Sequence, residues 1–166
     1  MSETTLKGAI AEAAITAAAV ELGVVVLRPM IEGRRYDLMF DIDHRLFRVQ
    51  CKWAPLRDGA VQVRLAGCRH TPRGYVYSTY DASEIDAVAA YCQELKECYW
   101  LPIEMVAGKR AIHLRIDPAA NNQRLAINSS ESYLLPGAIA QLGERLAGSQ
   151  KVAGSSPASS TLARPS

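Results

Sequence analysis

Tyr36–Trp53 reads YDLMFDIDHRLFRVQCKW, and the fold is decided in this stretch. Tyr36 to Ile42 is an apolar run. Leu46 to Trp53 alternates, with Phe47, Val49, Cys51 and Trp53 on one side and Arg48, Gln50 and Lys52 on the other, as a strand with two unlike faces does. Asp43, His44 and Arg45 form a tight polar connection between the runs, which predicts an antiparallel hairpin. In that hairpin Gln50 and Lys52 share a face and converge on Asp37 across the pair. Cys51 falls on the apolar side and reads as a reduced core thiol.

Upstream, Thr5 to Leu22 is alanine-rich with bulk from Leu6, Ile10, Ile15, Val20 and Leu22, and Gly23 follows as a C-cap, so a first helix is expected there. Val24 to Leu27 is a short β-branched run. The turn residues Glu32, Gly33 and Arg34 precede the hairpin. Downstream, Val61, Val63 and Leu65 alternate with Gln62 and Arg64, predicting a strand with one wet face that extends the basic hairpin. Gly74–Tyr80, Ala87–Cys92, Cys98–Ile103 and Ala111–Ile116 are further strand candidates. Ser83–Lys96 also carries a helical pattern, so both readings stand there, and Asn128–Leu135 is expected to be a short helix. One helix followed by strands, without repeated strand-helix units, predicts an α+β fold with a mixed β-sheet and flanking helices.

The chain has 166 residues, enough for one domain with its own core. Hydrophobic residues at 49% and charged residues at 22% exclude a chain disordered throughout. The charge-free stretch Ala13 to Val20 is too short for a signal peptide or a membrane span, so a cytoplasmic protein with no membrane partner is expected. Cys51, Cys68, Cys92 and Cys98 form no CxxC pair and no ligand spacing with His44, His70 or His113, which argues against structural zinc and against disulfides. The formal charge of +2 conceals an asymmetry, because His44 to Gly74 holds seven Lys/Arg against Asp58 alone, a local +6. Arginine dominates that stretch, and its planar fork suits phosphates and guanine edges.

Acids and amides stand where a core would want none. Glu12 lies among Gly8, Ala9, Ile15, Thr16 and Ala19 on the helix, with no basic residue at i+4, so it reads as an acid facing inward. A hard cation such as Mg²⁺ seeks oxygen ligands, and the Asp37 carboxylate, the Gln50 side-chain carbonyl and the Cys51 backbone carbonyl can supply them. Glu12 would orient a ligand water or serve a second cation site, and Lys52 would stabilise the attacking hydroxide and the charge developing on phosphorus. Taken singly, Glu12 is an ordinary helix acid, Lys52 a sheet-edge lysine, Asp37 a turn acid and Gln50 a satisfied core amide. Tyr75, Tyr77, Tyr80, Tyr99 and Trp100 read as core or subunit-interface aromatics rather than base-stacking platforms.

Glu12 in an alanine-rich helix, Tyr36-Asp37 and the VQCK of Val49 to Lys52 together resemble the PD-(D/E)XK nuclease superfamily. The likeness is greatest to a bacterial group that includes a tetrameric homing endonuclease of a cyanobacterial tRNA group I intron. It runs from about Lys7 to Leu135 and includes AAYCQELKECYWLPIE and LRIDPAANNQRLAI. Tyr36 stands where the motif has proline, which is no ligand, and Gln50 replaces the second acid, as is usual in that group. The resemblance implies a restriction-endonuclease-like core, active-site residues Glu12, Asp37, Gln50 and Lys52, and a hairpin carrying Arg64 that enters a DNA groove.

The function expected is a Mg²⁺-dependent endonuclease on double-stranded DNA, leaving 5′-phosphate and 3′-hydroxyl ends, with Mn²⁺ able to substitute, working as a homo-oligomer (dimer or tetramer). The competing readings are a non-catalytic DNA-binding or assembly module, motivated by Gln50, and a structure-specific nuclease such as a junction resolvase. The metal set is Glu12, Asp37, Gln50 and Cys51. The DNA-facing set is Arg34, Arg35, Arg45, Arg48, Arg57, Gln62, Arg64, Arg69 and Arg73. The nuclease domain is expected over 1–137, with 138–166 a Ser/Gly-rich disordered tail, at most weakly helical through Leu146. Its run QLGERLAGSQKVAGSSPASST resembles the translated 3′ part of a tRNA gene, which implies acquisition by readthrough.

Overall fold

The computed structural model describes residues 2–31, 33–72, 74–116 and 128–153. The first helix, α1 (Glu3–Glu21), starts two residues earlier than Thr5 because Ser2 caps it, its hydroxyl accepting from the Thr5 N–H at 3.1 Å. It ends where Gly23, at φ +79°, lets the Gly23 N–H reach the Val20 carbonyl at 2.9 Å and the Val24 N–H reach Ala19 at 3.0 Å. Ala11, Ile15 and Ala19 form its fully buried stripe.

Strands β1 (Val25–Leu27), β2 (Leu38–Ile42), β3 (Arg45–Trp53), β8 (Ala87–Cys92) and β9 (Glu97–Pro102) make a five-stranded sheet in the order β1-β2-β3-β8-β9. Only β3 and β8 run parallel, so the sheet is mixed as expected. The β2–β3 hairpin has Leu38 opposite Val49 and Ile42 opposite Arg45. Asp43 and His44, at φ 49° and 64°, form its two-residue turn, the left-handed geometry that matches the twist of paired strands. β8 is buried at all six positions, which is why AVAAYC lacks alternation and leaves strand and helix readings open.

That burial comes from two layers. One face of the sheet carries Phe40, Val49, Cys51, Ala87 and Ala89 against the α1 stripe. The other carries Val88, Ala90 and Leu101 against Val61, Val63, Ile112 and Leu114. These last four belong to a three-stranded sheet of β4 (Leu56–Arg57), β5 (Ala60–Arg64) and β10 (Ala111–Arg115), ordered β10-β5-β4. The Val61–Leu65 strand therefore pairs with β10 and β4 instead of widening the hairpin. A separate ribbon is formed by β6 (Gly67–Thr71) and β7 (Gly74–Ser78).

The C-terminal region departs most from expectation. Asn128–Leu135 contains only a single 3₁₀ turn, Ser130–Tyr133, after the short helix α2 (Ile103–Val106), and a 19-residue helix α3 (Leu135–Ala153) follows. Leu135 and Ile139 are buried, and Ala138, Leu142 and Leu146 pack against the sheet's α1-side core. The boundary expected at 137 thus falls inside a packed helix, and the first part of the presumed tail contributes apolar surface to the domain. Gly143 faces the hairpin turn, where a Cβ would lie 3.1 Å from Asp43 Oδ2 and make that side chain shift slightly. The remaining tail, 154–166, lies outside the described residues. No helix among the described residues is long and apolar enough to cross a membrane.

A clamp joins β3 to the segment entering β8. Arg48 donates from Nε and its backbone N–H to Asp86 Oδ2 at 3.0 and 2.8 Å, from Nη2 to Asp86 Oδ1 at 3.1 Å and to the Ala82 carbonyl at 3.0 Å, and from Nη1 to the Ser83 carbonyl. Burial raises the Asp86 pKa, but the Arg48 hydrogen bonds and charge outweigh it and hold the carboxyl below its usual range. A depressed carboxylate contributes stability above its unfolded pKa that is lost as pH falls through the folded value. Asp86→Ala is expected to cost about 2–3 kcal/mol at neutral pH, because Arg48 and its N–H lose their acceptor. The check is the urea midpoint with an unchanged slope, and the deficit should shrink toward acid.

Candidate functional site

Asp37 precedes β2 and continues its ladder, its N–H donating to the Val49 carbonyl at 2.9 Å. Its Oδ2 accepts the Cys51 N–H at 2.8 Å and the Gln50 side-chain amide. The same Gln50 Nε2 lies 3.4 Å from the Cys51 carbonyl oxygen. Glu12, one position beyond the buried Ala11 on α1, reaches the same end of the sheet. It and Asp37 line one cleft of about 330 Å³ with Arg28, Pro29, Ile31, Gly33, Arg34 and Tyr36.

Burial and then the Asp37 charge push the Glu12 carboxyl above the ordinary value, and Arg28, 3.4 Å away, pulls part of the way back. Burial pushes Asp37 up as well, against the Cys51 N–H, the Lys52 charge, the Gln50 amide and Arg28. Burial and the Asp37 and Glu12 charges drive the Cys51 thiol up, so it stays protonated and inert. The Asp37 charge makes ionising Glu12 more costly, and a cation bound beside the two carboxylates would relieve that cost. Lys52 is two residues beyond Gln50 on the same face, with Nζ 5.3 Å from the centre of the buried Tyr80 ring.

The donor set fits a hard divalent cation. The Gln50 amide nitrogen sits beside the Asp37 carboxylate and the Cys51 carbonyl, and rotation of the amide by half a turn would bring three oxygens of different residues together. Among the described residues no three His, Cys, Asp or Glu side chains cluster as a metal site. The set is accordingly two carboxylates, an amide and a main-chain carbonyl.

Glu12, Asp37, Gln50, Cys51 and Lys52 are thus brought together as expected from the sequence. The arginines are not. Arg34 lines the cleft. Arg35 is engaged by the Thr79 carbonyl at 2.9 Å and by Glu84 at 3.0 Å, and lies 4.5 Å from the Tyr80 ring centre. Like Arg48 in its clamp, Arg35 is paired with a carboxylate and holds neighbouring loops together. Arg45 stacks on Phe47 at 5.0 Å, near α3. Arg57, Gln62 and Arg64 lie on the small sheet. Arg73 lies outside the described residues, as does the side chain of Arg69. Tyr80, Tyr99 and Trp100 are buried as expected, while Tyr77 is exposed with Arg110 4.5 Å from its ring centre. Sequence reasoning missed Arg28 and Tyr80, whose partners stand 16 and 28 positions away and leave no local pattern.

Comparison with known proteins bears on the fold and the family. A solved structure described as that of a bacterial homing endonuclease, I-Ssp6803I, superposes with a TM-score of 0.70 at 27% identity, covering 90% of this chain and 99% of that one. No curated protein matches. The model of the PD-(D/E)XK endonuclease family matches residues 2–136, from the cap of α1 to the first turn of α3. On that match, across both the candidate cleft and the sheets that build it, the chain belongs to the PD-(D/E)XK endonuclease family.

Proposed function

We propose that the protein is a divalent-metal-dependent endonuclease of double-stranded DNA, homing in type, acting as a homo-oligomer in the cytoplasm. The observation that carries the reading is the meeting of the Asp37 carboxylate, the Gln50 amide and the Cys51 carbonyl beside Glu12 and Lys52. Asp37, Gln50, the Cys51 carbonyl and Glu12 would hold Mg²⁺ or Mn²⁺. A bound Mg²⁺ supplies Lewis acidity at the scissile phosphate and a water of lowered pKa.

The chain's own groups do the rest. The Cys51 N–H fixes the Asp37 carboxylate, Glu12 orients water at the cleft, and Lys52 offers positive charge to the attacking oxygen and to the phosphate as it gains charge. Arg28 and Arg34 line the cleft as cations beside the two acids, which favours a polyanion over a neutral substrate. A single core of this size cuts one strand per site, so cleavage of both strands favours a symmetric oligomer. Similarity to a bacterial homing endonuclease supports the homing type.

Supercoiled and linear duplex DNA incubated with the protein and Mg²⁺ or Mn²⁺ should be cut, and chelation should stop the cutting. No cleavage with either metal would refute the reading. The Gln50–Asp37 hydrogen bond supports one second reading, a non-catalytic module, in which the amide is simply a satisfied polar group. Calorimetry separates the two, because salt-sensitive DNA binding with no metal binding belongs to the module alone.

A further inference from the structure

Arg28, Arg35 and Arg48 each pair with a carboxylate, but they are not held alike. Arg48 grips both oxygens of Asp86 and two main-chain carbonyls, and Arg35 holds Glu84 at 3.0 Å and the Thr79 carbonyl at 2.9 Å. Arg28 is held loosely. Its Nη1 lies 3.4 Å from Glu12 Oε2, longer than the about 2.7–2.9 Å of a tight charge-assisted bond, and its side chain is 57% exposed against 29% for Arg48. Its backbone is better fixed. Leu27 before it pairs with Met39 in the sheet, and Pro29 after it confines Arg28 to an extended conformation. A change of partner by Arg28 is therefore a rotation of the side chain alone, which costs no loop movement.

We propose that Arg28 exchanges partners during the reaction, holding the Glu12 carboxylate until a divalent cation takes it and then turning to a phosphate oxygen beside the scissile bond. The proposal rests on the reading of the protein as a metal-dependent DNA endonuclease. Glu12 and Asp37 line one cleft of about 330 Å³ with Arg28, and the two acids repel each other. The Arg28 charge offsets that repulsion at both carboxylates. A divalent cation on Glu12 does the same with twice the charge, and it repels a guanidinium at hydrogen-bond distance from the same oxygen. One must yield. Arg28 is the one free to rotate, and its displacement leaves a planar fork of donors, the geometry that matches two phosphate oxygens, at the wall of the cleft. The exchange keeps the acids compensated before and after the cation arrives, and it presents the guanidinium to DNA only when the metal is in place.

The test uses the full chain and two readouts, calorimetric titration with Mn²⁺ alone and the rate of duplex cleavage at saturating Mg²⁺. Arg28→Ala should move them in opposite directions. Mn²⁺ should bind about fivefold more tightly, since it no longer displaces an exposed ion pair, while cleavage should slow by about 10²-fold for want of the phosphate contact. Arg28→Lys keeps a cation for Glu12 but not the fork, so it should bind Mn²⁺ as the wild type does and recover only part of the rate. Arg34 lines the same cleft and gives Glu12 no hydrogen bond among the described residues, so Arg34→Ala should change Mn²⁺ affinity less. If the wild-type protein binds Mn²⁺ and cuts DNA while Arg28→Ala binds it no more tightly, or cuts as fast, the exchange is overturned and the proposed function stands. An equal gain in Mn²⁺ affinity for Arg34→Ala overturns it too, because the effect is then the charge of the cleft and not the Glu12 bond. If the wild-type protein neither binds Mn²⁺ nor cuts duplex DNA, the nuclease reading itself falls.

Discussion

Asp37→Asn is expected to reduce DNA cleavage by roughly 10³-fold while making the fold more stable. The two effects have one cause. Burial raises the Asp37 pKa despite four opposing favourable contacts, so the ionised carboxylate costs the folded state free energy. A carboxylate whose folded pKa lies above its unfolded value penalises folding fully above the folded pKa and not at all below the unfolded one. At neutral pH the asparagine variant should therefore unfold at a higher urea concentration than the wild type, and the gap should close on acidification. The asparagine oxygen can still accept the Cys51 N–H, so the hairpin geometry is kept. Cation binding runs the other way, since a metal competes with protons for Asp37 and Glu12. Cleavage should decline with falling pH from a point above the ordinary carboxylate range, because both groups are shifted upward. An asparagine variant that cuts as fast as the wild type would remove Asp37 from the site.

The hairpin of β2 and β3 was legible because its alternation is local and its register follows from a two-residue turn, and that register alone brings Asp37 to Gln50. Glu12 was legible as an acid lacking a local partner, and its actual partner, Arg28, comes from the far end of β1. The distribution of arginines was not legible. Arg48 alternates with Gln50 as a DNA-facing residue would, yet Asp86 claims it from across the parallel pair of β3 and β8. Whether an arginine is free depends on a carboxylate dozens of residues away, which no local pattern records.

The C-terminal helix failed for a different reason. Its residues from Leu135 to Leu146 place apolar side chains at 135, 139, 142 and 146, a helical spacing diluted by Gly137, Gly143 and the serine-rich sequence beyond. Composition averaged over the whole segment concealed a stripe that covers one edge of the sheet.

Lys52→Ala is expected to lower the cleavage rate by about 10³-fold with little change in the affinity for metal or DNA, since its charge acts on groups that gain charge during reaction. Among the described residues the ammonium forms no direct ion pair, although its charge reaches Asp37. Its Nζ faces the buried Tyr80 ring, and Arg35, fastened by Glu84 and the Thr79 carbonyl, lies against the same ring. A cation over an aromatic face is attracted without a counter-charge, which positions the Lys52 ammonium toward the phosphate. Tyr80 is then a positioning residue. Tyr80→Leu should lower kcat by about tenfold and leave KM for DNA unchanged, whereas Tyr80→Phe, which keeps the ring, should retain activity. Lys52→Arg should restore only part of the rate, because a planar guanidinium cannot take the place of a compact ammonium over that ring. Equal rates for Lys52→Ala and wild type would exclude Lys52 from the chemistry, and equal losses in Tyr80→Leu and Tyr80→Phe would move the role from the ring to its hydroxyl.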